Sequence, residues 1–230
     1  MSRKDFLLIL SLIIGFPGFC VALSLPSYRV TGILIIIIGG LIFLFRWIVN
    51  LPSWTIIEMH RTIEMQGTKG GSDYAVTTKR TTMRANHKGL TEFLHRHIQS
   101  DGTMGKFRFD SVAVPPDKID VIAGEHMLHE VFSPMGLFQK RTSSLSYELY
   151  DSFPSTAEGA GYRPDYHTKL YSIEVSFTKK RPAKNPKAFS GLGAEIKDLS
   201  EPELSADGLK LTWKTKNLKP GQYYSIGWDW

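Results

Sequence analysis

Two apolar runs stand back to back near the N-terminus, and nothing after residue 50 resembles them. Residues 6–25 carry no charge, and residues 30–49 carry one, Arg46. About twenty apolar residues at a helical rise of about 1.5 Å cross a hydrocarbon core of roughly 30 Å. The segment between the runs, Pro26-Ser27-Tyr28-Arg29, suffices for a turn and no more. The pattern predicts a membrane protein: an N-terminal two-helix transmembrane hairpin over residues 1–50, then a C-terminal all-β sandwich or barrel-like domain over residues 51–230.

A cleaved secretory signal is the rival for the first run, because Met1-Ser2-Arg3-Lys4 is basic. Its apolar stretch exceeds the usual 7–15 residues, however, and a second full-length run follows at once. Arg3 and Lys4 precede the first span, only Arg29 lies between the spans, and Arg46, Arg61 and Lys69 follow. The positive-inside rule then puts both termini in the cytoplasm. The lone Cys20 forbids an intrachain disulfide. Ser11, Gly15, Gly18 and Ala22 fall on one helical stripe, and Gly32, Gly39 and Gly40 mark the second span. Small stripes let helices approach closely in lipid. Pro17 bends the first span. Two readings follow: a gate in an oligomeric pore, or a kinked anchor. No Asp, Glu, Lys or His lies within either span, which argues against a proton relay or ion-coupled transport.

Beyond residue 51 the chain reads mostly as strands. Segments 54–65, 74–83, 106–114, 145–150, 170–177, 209–214 and 223–230 are β-branched, alternating or aromatic. Gly70-Gly71, Asp101-Gly102, Pro115-Pro116, Asp207-Gly208 and Pro220-Gly221 punctuate them. Residues 90–98 fit a short helix or a strand. Tyr224, Ile226, Trp228 and Trp230 share one face of the last segment. They read as a core strand or, more sharply, as a stacking platform for a base.

Catalytic signatures are few. The chain has no phosphate-binding glycine loop, no Cys-x-x-Cys and no Gly-x-Ser-x-Gly. His126 and His129, three apart, would share a face on a helix, as some zinc and iron sites need. We expect neither enzyme activity, metal nor cofactor. Charge says more. The chain is +6, and from Leu51 onward 24 basic residues face 21 acidic ones. The excess concentrates in Lys79, Arg80, Arg84, His87, Lys88 and Arg96, interleaved with Thr77, Thr78, Thr81, Thr82 and Asn86. Cations for charge with hydroxyls for geometry suit phosphate, so this cluster is the expected ligand-binding site. A second basic stretch, 179–187, is broken by prolines and reads as a loop against headgroups or a partner.

Two apolar spans ahead of a β-rich domain, in a chain of this size, resemble the two-transmembrane, β-rich effectors of bacterial anti-phage nucleotide-signalling systems, including cyclic-oligonucleotide (CBASS-type) ones. The resemblance is architectural and covers the whole chain. It implies a homo-oligomeric, multi-pass effector in the lipid bilayer of the bacterial inner membrane. A cyclic or linear nucleotide, made by a partner nucleotidyltransferase, would bind the β-rich domain and control a pore or membrane lesion. The alternative is a membrane-anchored β-sandwich that recruits a protein partner.

Overall fold

The first long strand already shows how this chain sets its layers. Trp54 and Ile56 are buried, then Met59 and Ile63 are buried, so the inward parity changes from even to odd. Side chains alternate strictly along a strand, so one extra residue must intervene. A β-bulge between Ile56 and Glu58 supplies it. The computed structural model describes residues 37–43, 51–69, 72–192 and 195–230, and the chain divides into a unit Met1–Leu51 and a unit Pro52–Trp230.

In the second unit the strands are β1 (Trp54–Lys69), β2 (Ser72–Ala85), β3 (Glu92–Ile98), β4 (Thr103–Phe109), β5 (Val112–Ala113), β6 (Ile119–Ile122), β7 (Glu125–Val131) and β8 (Lys140–Tyr150). After them come β9 (Ala157–Tyr162), β10 (Thr168–Ser176), β11 (Lys184–Leu192), β12 (Glu195–Asp198), β13 (Glu203–Leu204), β14 (Lys210–Leu218) and β15 (Tyr223–Asp229). Eight of them form a mixed sheet in the order β13-β14-β10-β1-β2-β8-β4-β5. Its centre is a parallel pair, β1 with β10, flanked by antiparallel neighbours.

Two smaller sheets, β12-β11-β15-β9 and β3-β7-β6, cover the inner face of the large one. Aromatic contacts join the layers. Tyr162 stacks on Tyr171 at 5.1 Å, Phe177 meets Trp228 at 5.3 Å, and Trp54 meets Phe93 edge-on at 5.6 Å. The inward faces of β2, β8, β10 and β14 supply Met83, Leu145, Ile173, Val175 and Leu211, all essentially inaccessible. Full burial of one such side chain stabilises by about 1.5–3 kcal/mol, which makes the inter-sheet layer the core. Tyr224, Ile226 and Trp228 of β15 are buried there, so the last strand serves packing.

The expected transmembrane hairpin is corrected here. Among the described residues no helix is long and apolar enough to cross a membrane. The helical stretch 37–43 spans only about 10 Å at the α-helical rise. The membrane-channel reading and the multi-pass inner-membrane placement fall with the hairpin. Ser11, Gly15, Pro17, Gly18 and Ala22 lie outside the described residues. Gly39 and Gly40 lie within 37–43, where a Cβ added to either would touch nothing within 4 Å. Residues 92–98, left between helix and strand by their pattern, form β3. The basic stretch expected as a loop also differs, because β11 begins at Lys184. Its Pro186 falls within the register shift between Lys184 and Lys187, where the ladder needs no donor.

Candidate functional site

Alternation along β2 sends Lys79 inward and Arg80 outward. Lys79 is 8% exposed, whereas Arg80 lies on the solvent face opposite His60 and Ser144. The neighbouring strand sends Arg61 inward as well, and the ladder places Arg61 directly opposite Lys79. Like charges opposite one another on a sheet repel, and burial removes the water that would screen them. This is the least expected feature of the interior.

The two cations line a cavity of about 880 Å³ where the three sheets meet. Its walls include Met59 and Ile63 of β1, Tyr147 of β8, Tyr171 of β10, Tyr162 of β9 and Tyr223 of β15. Arg61 Nη1 donates to the Gly161 carbonyl at 2.9 Å, and Nη2 to the Tyr147 hydroxyl at 3.2 Å, while its buried Nε has no acceptor. A side chain at Gly161 would collide with the phenol end of Tyr223, so glycine lets that ring lie against β9. The Lys79 ammonium sits 5.3 Å from the centroid of the Tyr162 ring, in cation–π contact. No carboxylate comes within 4 Å of either cation among the described residues. Burial, and then the charge of Arg61, push the Lys79 amine down to about 8, with Asp165 opposing only in part.

At one end of the cavity β3 is irregular. A register shift between His95 and Ile98 puts His97 in the left-handed region, at φ 55°. The turned imidazole bridges Glu125, at 2.8 Å, and Asp165, at 3.3 Å. Arg96 and His97 both line the cavity. His97 thus engages Asp165, the acid that acts on Lys79, together with Glu125, while Asp101 and Glu158 also line the cavity.

Of the expected ligand-binding residues, Lys79 and Arg96 reach this cavity and Arg80, Arg84, His87 and Lys88 do not. Arg84 lies over the Phe138 ring at 5.5 Å. His87 and Lys88 occupy the turn after β2. Asn86 is a staple, its amide donating to the Pro52 carbonyl at 2.8 Å and to Thr55 at 2.9 Å. Arg61, Tyr147, Tyr162 and Tyr171 are cavity residues that cluster-counting passes over. One signal for Arg61 exists: it is a cation in the inward register of an otherwise apolar strand, between Met59 and Ile63.

His126 and His129 sit on a strand, not a helix, so three residues' separation puts them on opposite faces. His126 lies tilted against Phe107, ring centroids 5.3 Å apart, and His129 bridges Glu92 (2.6 Å) and Asp120 (2.9 Å) outside. Among the described residues no three His, Cys, Asp or Glu side chains are grouped to hold a metal ion.

The basic stretch 179–187 contains a structural anchor. Arg181 pairs with Asp73 at 3.0 Å, donates to the carbonyls of Phe153 and Ser155, and stacks 3.9 Å over Trp230. Arg181→Ala removes this whole set, and chemical denaturation should register a loss of about 1–2 kcal/mol.

No family model matches the chain, and no curated protein matches it. A protein described as a nutrient binding protein, from Legionella pneumophila, superposes with a TM-score of 0.50 at 10% identity, over 78% of this chain and 68% of that one. An M1 zinc metallopeptidase from Deinococcus radiodurans gives a TM-score of 0.42 at 11% identity, over 76% of this chain. This chain spans 42% of that peptidase's length.

Proposed function

We propose that the three-sheet domain is a binding module for a small anionic ligand. The ligand enters the cavity between the sheets, and Arg61 and Lys79 supply its counter-charges. One observation carries this reading: two inward cations stand opposite each other with no carboxylate within 4 Å among the described residues. Buried charge is retained when it is paired, and here the partner has to come from outside. Arg61 offers a planar fork and Lys79 a point charge, a combination suited to a carboxylate or phosphate. The surrounding tyrosines offer apolar surface and hydroxyls, and the volume lies within the roughly 300–1,000 Å³ usual for small-molecule sites. The nucleotide expected from the basic cluster belongs to this ligand class. Its proposed contacts now run through Arg61 and Lys79, without Arg80, Arg84 or Lys88.

Titration calorimetry of the full chain with inorganic phosphate, adenosine 5′-monophosphate and pyruvate tests the reading. At least one should bind saturably, weaken with added salt, and lose about 10–100-fold in affinity in Arg61→Met, the usual effect of losing a hydrogen bond to a charged group. Binding that is absent for all three anions, or unchanged in both Arg61→Met and Lys79→Met, would sink it.

A further inference from the structure

The same cavity holds more than a charge, because one of its cations is also a nucleophile. We propose that Lys79 forms an imine with a small oxo compound, an aldehyde or ketone bearing an acidic group, whose acidic end is held by Arg61. The inference rests on the anion-site reading and names its ligand class.

Among the described lysine side chains Lys79 is the buried one. The contrast with the others is chemical. Lys106 and Lys210 lie exposed in ion pairs with Glu148 and Glu174, at 3.2 Å and 3.0 Å. Lys79 faces Arg61 from β1 and Tyr162 from β9, with Leu145 opposite it on β8. Asp165 and the buried His95 are near enough to feel its charge, and Asp165 is engaged by His97. A lysine beside a second cation in a desolvated pocket is the arrangement that activates an amine. At about 8, roughly a tenth of the side chain is free amine at neutral pH, against a few parts in ten thousand for an exposed lysine.

Geometry then selects the substrate. Side chains directly opposite on paired strands start about 5 Å apart at Cβ. A carboxylate on the Arg61 fork therefore leaves a carbonyl one or two atoms away within reach of Lys79 Nζ. The free amine adds through its lone pair to the carbonyl carbon, the new C–N bond forms, and the carbonyl oxygen takes up a proton. The C–O bond of this carbinolamine then breaks. Oxygen leaves as water with the two protons the amine gave up, and an imine remains. Nothing is oxidised or reduced, and no co-reactant is needed.

Pyruvate with sodium cyanoborohydride, which reduces an imine to a stable secondary amine, gives a direct readout on the full chain at neutral pH. Intact mass and peptide mapping should show one adduct per chain, on Lys79. The adduct should disappear in Lys79→Arg, which keeps the charge and whose folding is checked by tryptophan fluorescence. It should form at least tenfold more slowly in Arg61→Gln. Acetone, which lacks the acidic group, should label Lys79 at least tenfold more slowly than pyruvate. Calorimetry on the same samples separates the two readings. Saturable pyruvate binding that needs Arg61, with no adduct on Lys79, overturns the imine and leaves the anion site standing. Labelling of Lys79 equally by acetone and pyruvate, unaffected by Arg61→Gln, overturns the acidic-ligand assignment. Adducts scattered over exposed lysines, with no binding, overturn both.

Discussion

Exchanging Lys79 for Met should make the unliganded protein more stable, by about 3 kcal/mol at pH 7. That is the size of moving an amine from 10.5 to about 8. Met keeps the apolar stem against Tyr162 and removes the charge that Arg61 opposes. The sign follows from proton binding. Between about pH 8 and 10.5 the unfolded chain holds a proton that folded Lys79 has shed, so wild-type stability rises with pH across that window. The advantage of Lys79→Met is therefore full below about pH 8 and fades towards pH 10.5. Tyr150 and Tyr171, pushed up to about 12 by the Glu148 hydrogen bond and by burial respectively, act in the opposite direction but equally in both proteins. Denaturant titrations followed by tryptophan fluorescence at several pH values measure the difference directly. The same substitution should weaken anion binding at least tenfold, so stability and affinity move in opposite directions. A destabilised Lys79→Met at pH 7 would mean that the amine already has its counter-charge within the protein, and the anion site would lose its main support.

How far the sequence led can be judged at particular residues. The alternation of β2 is plain in Ala75, Thr77, Lys79, Thr81 and Met83, and those side chains all face inward. Reading the basic residues of that stretch as one patch ignored the same alternation, which splits Lys79 from Arg80. The partner of Lys79 is Arg61, on the next strand of the ladder, and pairing register between strands is not encoded in local composition. The parallel pairing of β1 with β10 is more remote still. It brings His60 within 2.8 Å of Ser172 across an intervening chain that a linear reading cannot fold. The His97 turn depends on a register shift that no glycine or proline announces at that position. The N-terminal runs were read by length and hydropathy alone, and the described residues provide no helix that could span a bilayer.

Glu130→Ala should be the most damaging substitution of a single polar side chain in the domain, costing about 2–3 kcal/mol. Glu130 is 3% exposed on β7. Its Oε2 accepts from buried His95 Nε2 at 3.0 Å, and its Oε1 accepts from Arg141 Nε at 3.2 Å and Nη2 at 3.0 Å. Removing the carboxylate leaves buried His95 without its acceptor and takes the ion pair from Arg141, which is about a third exposed; a buried polar group left unpaired costs its full desolvation penalty. Arg141 also lies 4.7 Å over the Phe132 ring, which restrains it from swinging out to water. The same network predicts acid lability. Burial holds His95 below its ordinary 6.5, outweighing the hydrogen bond to Glu130, so the folded imidazole is neutral. Burial would raise Glu130, but the hydrogen bonds from His95 and Arg141 prevail and hold it below 4.5. As pH falls below 6.5 the unfolded chain takes a proton that folded His95 refuses, and below 4.5 it takes another that folded Glu130 refuses. Both steps favour unfolding, each at up to about 1.4 kcal/mol per pH unit. Denaturant midpoints measured from pH 7 down to pH 4 should fall steeply in wild type. His95→Asn should flatten the upper part of that fall. An unchanged slope in His95→Asn would mean that a different group senses the acid, and a loss below about 1 kcal/mol in Glu130→Ala would mean that water replaces the carboxylate in what is here a closed core.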